Sequence, residues 1–370
     1  MPHHLRRVIA IGICLFFLRC TPGSGQRWGE ERWDTTTNYR LTAETVSWDR
    51  PIYGEGDFLF ADDLLIFEGA TDDALFSVYR SKHDSLLFLG SFLQQGRGPW
   101  EATDAEAFYF PNSRTLVAVA YNPLGHSIRI PLDSSARLFD LSSWKKERYG
   151  ETNPIPAYEL VPIDDTLCIA QAFDGHNGLF SLYDTRREAW EALDIPYPDD
   201  RGSMPYGQRA ETYMGSVAKH PTRNRFAYSN ANSKLVLLFE VEEGKAQQIE
   251  QPFCQIPEYE PQGRDRVRFT ANHDNGYQLS VTERRVYCAD PRIDRLNREA
   301  SIARNGYGAG YVREIFVMDW NGRPLATYSL DRPVCFPTVS PDDRYLYAFA
   351  LDDKTLEGYF VRFRLPELPQ

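Results

Sequence analysis

Residues able to bind or react are gathered in this chain into loop-like stretches, and none of them forms a catalytic motif. Gly96-Arg97-Gly98-Pro99-Trp100, Asn122-Pro123-Leu124-Gly125-His126 and Asp174-Gly175-His176-Asn177-Gly178 are three of these. The others are the run Tyr197 to Tyr213 with Arg201, Tyr206 and Arg209, then Asn230-Ala231-Asn232-Ser233, and the end of the Pro291–Tyr311 stretch with Arg304, Tyr307 and Tyr311. Arg beside aromatic residues, with Gly to let the backbone adapt, suits sugars, peptides or carboxylates. The candidate binding residues are therefore Arg97, Trp100, His126, His176, Asn177, Tyr206, Arg209, Asn232, Arg304, Tyr307 and Tyr311. His126 and His176 have the chemistry of metal ligands or bases, although a lone loop histidine is more often solvated or capping. Oxygens of Asp174, Asn177, Asn230 and Asn232 could meet a divalent cation, but no spacing singles them out. GxSxG, HExxH and a Walker loop are all missing from the sequence.

These stretches hang on a repeated hairpin signature. Val339-Ser340-Pro341-Asp342-Asp343-Arg344-Tyr345-Leu346-Tyr347 has an apolar lead-in, a Pro/Asp turn and alternating residues of high β-propensity. Weaker copies run from Phe110 to Val117 and from His220 to Tyr228, and looser ones lie at 61–66, 163–168 and 282–287. Markers Asp62, Asn112, Asp164, Thr222, Glu283 and Asp342 stand 50, 52, 58, 61 and 59 residues apart. Six hairpins at so even a step predict an all-β, six-bladed β-propeller. Aromatics at 14% of the chain suit pleated, half-buried surfaces. The last blade reads one strand short, while Tyr39 to Trp48 reads as a strand without a blade. Pairing them predicts a ring closed by an N-terminal strand completing the last blade, which hides two sheet edges. The propeller is expected over 39–370 as one domain.

The first residues read as an address. Arg6 and Arg7 precede an apolar run from Val8 to Leu18, too short to span a bilayer, which needs about 20 residues, and suited to a signal peptide over 1–19. Leu18-Arg19-Cys20 has the form of a lipobox, with Cys20 as the lipidated residue and 20–38 as a tether with no packed core. Arg19 departs from the usual small residue there, and ordinary cleavage after Gly25, giving a secreted protein, is the alternative. The formal charge of −11 becomes more negative without the three leader arginines. That argues against nucleic acid and leaves membrane contact to the anchor alone. Of six cysteines, Cys168, Cys254, Cys288 and Cys335 lie outside this region and show no CxxC spacing. Buried thiols are their plainest role, and a Cys254–Cys288 disulfide is allowed.

The lipobox-like start, the six hairpins, Gly96-Arg97-Gly98-Pro99 after the first blade, and Val317-Met318-Asp319-Trp320-Asn321-Gly322-Arg323-Pro324 followed by Leu330-Asp331 resemble the TolB-like six-bladed propeller lipoproteins of Bacteroidota. That family usually follows Gly-Pro with Gly, an acid and Phe, whereas Trp100, Glu101 and Ala102 stand here. The resemblance implies the fold and a cell-envelope address, and no established activity.

In four-stranded blades, turns between first and second and between third and fourth strands share one face. Here those turns are tight and charged, such as Asn112-Ser113-Arg114 and Asp184-Thr185-Arg186-Arg187, and read as structural. The remaining loops share the other face and carry all the candidate residues. Two functions follow. One is a non-catalytic envelope protein, expected to be monomeric and without cofactor, whose loop-rich face binds a partner protein or glycan. The other is a lactonase or hydrolase of the propeller type with one divalent cation on the axis. For Gly96–Pro99 the plainer reading is a tight crossing between blades.

Overall fold

A computed structural model describes residues 29–50, 56–71, 73–82, 85–121, 125–149, 157–172, 178–199, 204–270, 275–291, 311–351 and 358–369. The chain is an all-β propeller of antiparallel meanders. Asp57–Ala61, Leu64–Thr71, Ala74–Lys82 and Ser85–Gln95 pair in sequence as the first sheet. Asp104–Phe110, Thr115–Tyr121, His126–Pro131 and Lys145–Arg148 form the second; Ala157–Pro162, Leu167–Ala172, Ser181–Asp184 and Ala189–Ala192 the third. Gly215–Lys219, Arg225–Asn230, Leu235–Glu242 and Lys245–Cys254 form the fourth. The rest merges into one eight-stranded sheet because Pro324–Val339 runs through as a single strand. Its first half pairs with Val312–Asp319 and its second with Tyr345–Leu351, around a register break at Phe336, whose φ is 52°. The sequence predicted two separate strands there.

The turns form for local reasons. Asp342 accepts from Arg344 N at 3.1 Å, and Asp164 from Thr166 N and Leu167 N at 2.7 and 3.0 Å. Asp184 accepts from Arg186 N and Arg187 N, and Asp319 from Asn321 N and Arg323 N, all at 2.9 Å. These carboxylates stand in for the missing backbone acceptors of a tight turn.

Three strands do what one was expected to do at the N-terminus. Thr37–Leu41 adds in parallel to the first half of Pro324–Val339, Ala43–Thr45 pairs antiparallel with Gly358–Arg364, and Ser47–Trp48 lies parallel on Ser85–Gln95. The segment thus crosses from one sheet to the next and covers an edge on each. Two strands of the first two sheets escaped the sequence pattern: Asp57–Ala61 and Lys145–Arg148. The second follows a helical excursion through α1 (Ser135–Leu138), which breaks the hairpin spacing.

The expectation of an unpacked tether over 20–38 needs correcting for its second half. Trp33 is only 3% exposed, stacks on Phe253 with ring centroids 4.7 Å apart and donates its indole N–H to Val317 O at 3.1 Å. Gly29, with φ at 101°, lets the chain approach closely: a Cβ there would sit 2.3 Å from Pro252 O. The leader and Cys20 lie outside the described residues. Cys168, Cys288 and Cys335 are buried free thiols, so the Cys254–Cys288 pairing allowed by sequence is not made.

First strands of neighbouring sheets touch, as do Asp57–Ala61 with Asp104–Phe110, Ala157–Pro162 with Gly215–Lys219, and Gly215–Lys219 with Gln278–Val281. No backbone ladder joins them. Side chains from the preceding sheet take the free N–H groups instead: Glu68 from Ala107 N (3.0 Å), Gln171 from Gly215 N (3.0 Å) and Glu159 from Val217 N (3.3 Å); within the eight-stranded sheet Ser280 accepts likewise from Val339 N (2.9 Å). Gly215 and Val217 are two residues apart, the strand period that turns alternate N–H groups to the same side.

Trp33→Ala should lower stability by about 3 kcal/mol or more, the usual cost of removing a buried Trp. It would be read as a fall in the urea midpoint with unchanged slope; an unchanged midpoint would show that the docked segment carries no stability.

Candidate functional site

The best-built site on the loop-rich face lies over the third and fourth sheets. The long connection between them contains α2 (Tyr206–Thr212), started by Pro205, which presets a helix-compatible φ. A second insertion, absent from the sequence reading, is the hairpin of Tyr259–Gln262 and Arg266–Phe269. The two lock together. Gln208 Nε2 donates to Gly263 O at 2.9 Å, and Glu211 accepts from Val267 N at 2.9 Å and pairs with Arg266 at 3.3 Å. Gly207 permits the contact, since a Cβ would meet that of Asp265 at 2.8 Å. From below, Asn230 Nδ2 donates to Thr212 O at 3.0 Å and Asn232 Nδ2 to Glu211 O at 3.3 Å, while Asn230 Oδ1 accepts from Asn232 N.

Beside α2 is a shallow aromatic depression with about 10 Å³ of enclosed space, lined by Tyr158, Gln171, Leu179, Tyr197, Ala210 and Tyr213. Tyr197 and Tyr213 rings lie 5.3 Å apart. The Arg209 guanidinium sits 5.2 Å over the Tyr197 ring. Its side chain makes no hydrogen bond or ion pair among the described residues, and its Nε is shut off from water. In the floor, Gln171 Nε2 donates to Glu159 Oε2 at 2.8 Å and to Gly215 O at 2.7 Å.

Glu159 leads from the depression to a group of acids on the inner strands: Asp57 and Glu68 of the first sheet, Asp104 and Glu106 of the second. Burial raises Glu68 and Glu159 well above the ordinary carboxylate range, and each feels the negative charge of Glu106. Glu106 is pushed up to about 7, first by burial and further by Asp57 and Asp104, against a hydrogen bond from the Tyr121 hydroxyl at 2.7 Å. Asp57, Glu68, Glu106 and Glu159 therefore hold a proton more tightly than ordinary carboxylates, chiefly because burial disfavours their charge. Among the described residues no three His, Cys, Asp or Glu side chains are arranged to hold a metal ion.

The predicted site residues divide. Tyr206 and Arg209 sit on α2, and Asn232 supports that helix from beneath with its amide committed to backbone. Arg97, Trp100 and His126 gather instead at the outer strands of the second sheet. There Trp100 meets Trp144 edge-on at 6.2 Å and Lys146 Nζ donates to Pro99 O at 2.9 Å. Arg97 is exposed. Burial, with Lys146 and Arg148 nearby, pulls His126 down to about 4, and its Nε2 finds no hydrogen-bond partner among the described residues. Tyr311 leads into the strand Val312–Asp319. His176, Asn177, Arg304, Tyr307 and Asp174 lie outside the described residues. Sequence reading missed Tyr158, Gln171, Tyr197 and Tyr213 as liners, and all five acids. A usable signal existed: Glu159 and Gln171 are polar residues inside otherwise apolar strand patterns.

The opposite face holds a larger groove of about 160 Å³ lined by turns including Asp62, Asp63, Arg80 and Arg114. Its charges are already paired, Arg80 with Asp63 at 3.2 Å and Arg114 with Asp62 at 3.0 Å. Buried His220 is likewise structural: Nδ1 accepts from Thr222 N and Arg223 N at 3.2 Å, and Nε2 faces Glu283 O.

No family model matches the chain, and no curated protein does. Among solved structures, a DUF4221-family protein from Bacteroides vulgatus superposes with a TM-score of 0.53 at 10% identity, over 89% of this chain and 97% of that one. An oligogalacturonate lyase in complex with manganese gives 0.42 at 10% identity over 89% and 97%. The Swd1 β-propeller domain from Myceliophteria thermophila gives 0.42 at 10% over 86% and 99%. At such identity the first match speaks for the fold alone.

Glu106 gives a pH prediction. Its folded value near 7 stands above the ordinary 4.5, so its contribution to stability is complete below about pH 4.5 and is lost as pH rises through 7. His126 and His220, both lowered to about 4 by burial, act the other way: their contribution is present above 6.5 and lost as pH falls through 4. Glu106→Gln should therefore flatten the decline in stability between pH 4.5 and 7 while leaving the acid limb. Parallel urea-stability curves for the two proteins would refute this account.

Proposed function

We propose that this chain is a six-bladed, TolB-like envelope lipoprotein that binds a partner protein or glycan on its loop-rich face without catalysis. Support for six blades comes from dividing the eight-stranded sheet at the register break near Phe336. That leaves one four-stranded meander before the break, with Thr37–Leu41 added outside it, and one after, with Ala43–Thr45 as its fourth strand. The observation that carries the binding reading is the mutual locking of α2 and the 259–269 hairpin around a depression whose Arg209 finds no acceptor among the described residues. A structural loop would pair that arginine, as the turns of the opposite face pair theirs. The protein is a monomer in this reading, without cofactor, held at the envelope through Cys20.

The alternative, a propeller-type hydrolase with an axial divalent cation, draws on Asp57, Asp104, Glu106 and Glu159. Burial raises the proton affinity of Asp57, Glu106 and Glu159, which sets protons in competition with a cation.

Three measurements check these readings. Elemental mass spectrometry of protein prepared without chelator should find well under one divalent ion per chain; about one per chain would replace the binding reading with the hydrolase. Tyr206→Ala with Arg209→Ala should weaken capture of any glycan-array or protein ligand at least tenfold, whereas Arg187→Ala with Arg344→Ala on the opposite face should not. Equal effects from both pairs would remove the face assignment. Metabolic labelling with palmitate should mark the wild type and spare Cys20→Ala; recovery of Cys20 in a disulfide would overturn the anchor.

A further inference from the structure

Among the described residues, all junctions between neighbouring sheets but one are pinned by charged or amide side chains. Asp62 of the first sheet meets Tyr109 and Arg114 of the second at 2.7 and 3.0 Å, and Arg129 of the second meets Asp165 beside the third at 2.8 Å. Gln171 and Glu159 tie the third to the fourth, as described above. Lys234 of the fourth is buried against Asp290 at 2.5 Å, and Thr222 donates to Glu283 at 2.9 Å. Asp343 accepts from Thr282, Tyr287 and Arg284 at 2.7, 2.8 and 3.0 Å, which fixes the closing meander to the strands before the register break.

The exception is the junction between that closing meander (from the break at Phe336 through Gly358–Arg364) and the first sheet. Among the described residues, the one polar side-chain contact running directly across it is a hydroxyl pair, Ser81 with Tyr347 at 3.2 Å. Ring contacts make up the rest, Phe58 with Phe360 at 5.0 Å and Phe60 with Tyr347 at 5.3 Å. Apolar contact is non-directional, whereas a hydrogen bond constrains both distance and angle.

Residues 43–50 bridge this junction. On one side Ala43–Thr45 pairs with Gly358–Arg364, Arg362 meets Glu44 at 2.8 Å, and Val46 N donates to Phe360 O at 2.9 Å. On the other, Ser47–Trp48 lies on Ser85–Gln95, Asp49 accepts from Phe88 N at 2.7 Å and Tyr79 donates to Arg50 O at 3.0 Å. Trp48 has its backbone on the first sheet and its ring 5.9 Å from Phe360 and 5.8 Å from Phe349 of the closing meander. The two ladders are only three and two residues long. Segments held by so few backbone bonds belong to the low-stability end of a structure, where local opening begins.

We propose that the ring opens reversibly at this junction, with residues 43–50 as its latch. Release of the latch parts the first sheet from the closing meander and leaves the other junctions shut. No covalent bond changes, because the chain does not run from the closing meander into the first sheet.

Thiol labelling of the whole protein under native conditions, read by peptide mass, tests this. Buried Cys168 lies between the second and third sheets, and buried Cys288 between the fourth and the eight-stranded sheet. Leu65→Cys places a reporter in the cluster at the latched junction, and Leu160→Cys is the same change between the second and third sheets; both leucines are fully buried. Leu65→Cys should label at least tenfold faster than Leu160→Cys, Cys168 and Cys288. Trp48→Ala should speed Leu65→Cys a further tenfold or more while leaving Leu160→Cys within twofold. Trp48→Phe, which keeps a ring, should act in the same direction more weakly and replaces Trp48→Ala if thermal melts show that variant unfolded. Glu44→Cys with Arg362→Cys, on directly paired residues, should slow Leu65→Cys at least tenfold when oxidised to a disulfide, relative to the reduced form. Equal labelling of Leu65→Cys and Leu160→Cys, or equal acceleration of both by the Trp48 variant, overturns the proposal and makes the ring one cooperative unit. Indifference of Leu65→Cys to the oxidised lock overturns it too, because the junction then opens without the latch.

Discussion

A ring of sheets leaves its innermost strands with one unpaired edge, and the backbone groups on that edge must be satisfied without a ladder. Here side chains do it, each reaching from one sheet to an N–H of the next: Glu68 to Ala107, Gln171 to Gly215 and Glu159 to Val217. A buried N–H without an acceptor costs on the order of 1–3 kcal/mol. These contacts therefore do more than decorate the apolar packing between sheets; they fix how far one sheet is rotated and slid against its neighbour. Everything on the loop-rich face inherits its position from them.

Using carboxylates for this task has an electrostatic consequence. Glu68 and Glu159 are placed where burial disfavours their charge, and Glu106 adds a third acid beside them. Hydrogen bonds from the backbone offset part of that penalty, and protonation offsets more. The inner mouth is thus less negative than its count of acids implies.

The outer edges obey the same rule by other means. Strands Thr37–Leu41, Ala43–Thr45 and Ser47–Trp48 each cap a sheet edge, and Trp33 fixes the segment by stacking on Phe253. At the margin of the depression, Arg209 makes no hydrogen bond or ion pair among the described residues, on a face whose two insertions are otherwise tightly bonded to one another.

The sequence by itself determined the all-β propeller class and the turns. Those features depend on residues within a few positions of each other: Asp342 closes onto Arg344 N, and Asp164 onto Thr166 N. Alternation along Leu235–Glu242 or Thr115–Tyr121 is equally local. Tyr206 and Arg209 could be picked out because they stand in a long loop. Only the tertiary structure decided which residues join them. Tyr158 and Tyr213 are 55 residues apart in the chain and meet because two sheets pack side by side. It also separated Arg97, Trp100 and His126 from that cleft, and committed Asn232 to the backbone of α2. Edges, proton affinities and free donors are set by neighbours brought from elsewhere in the chain, and no local pattern encodes them.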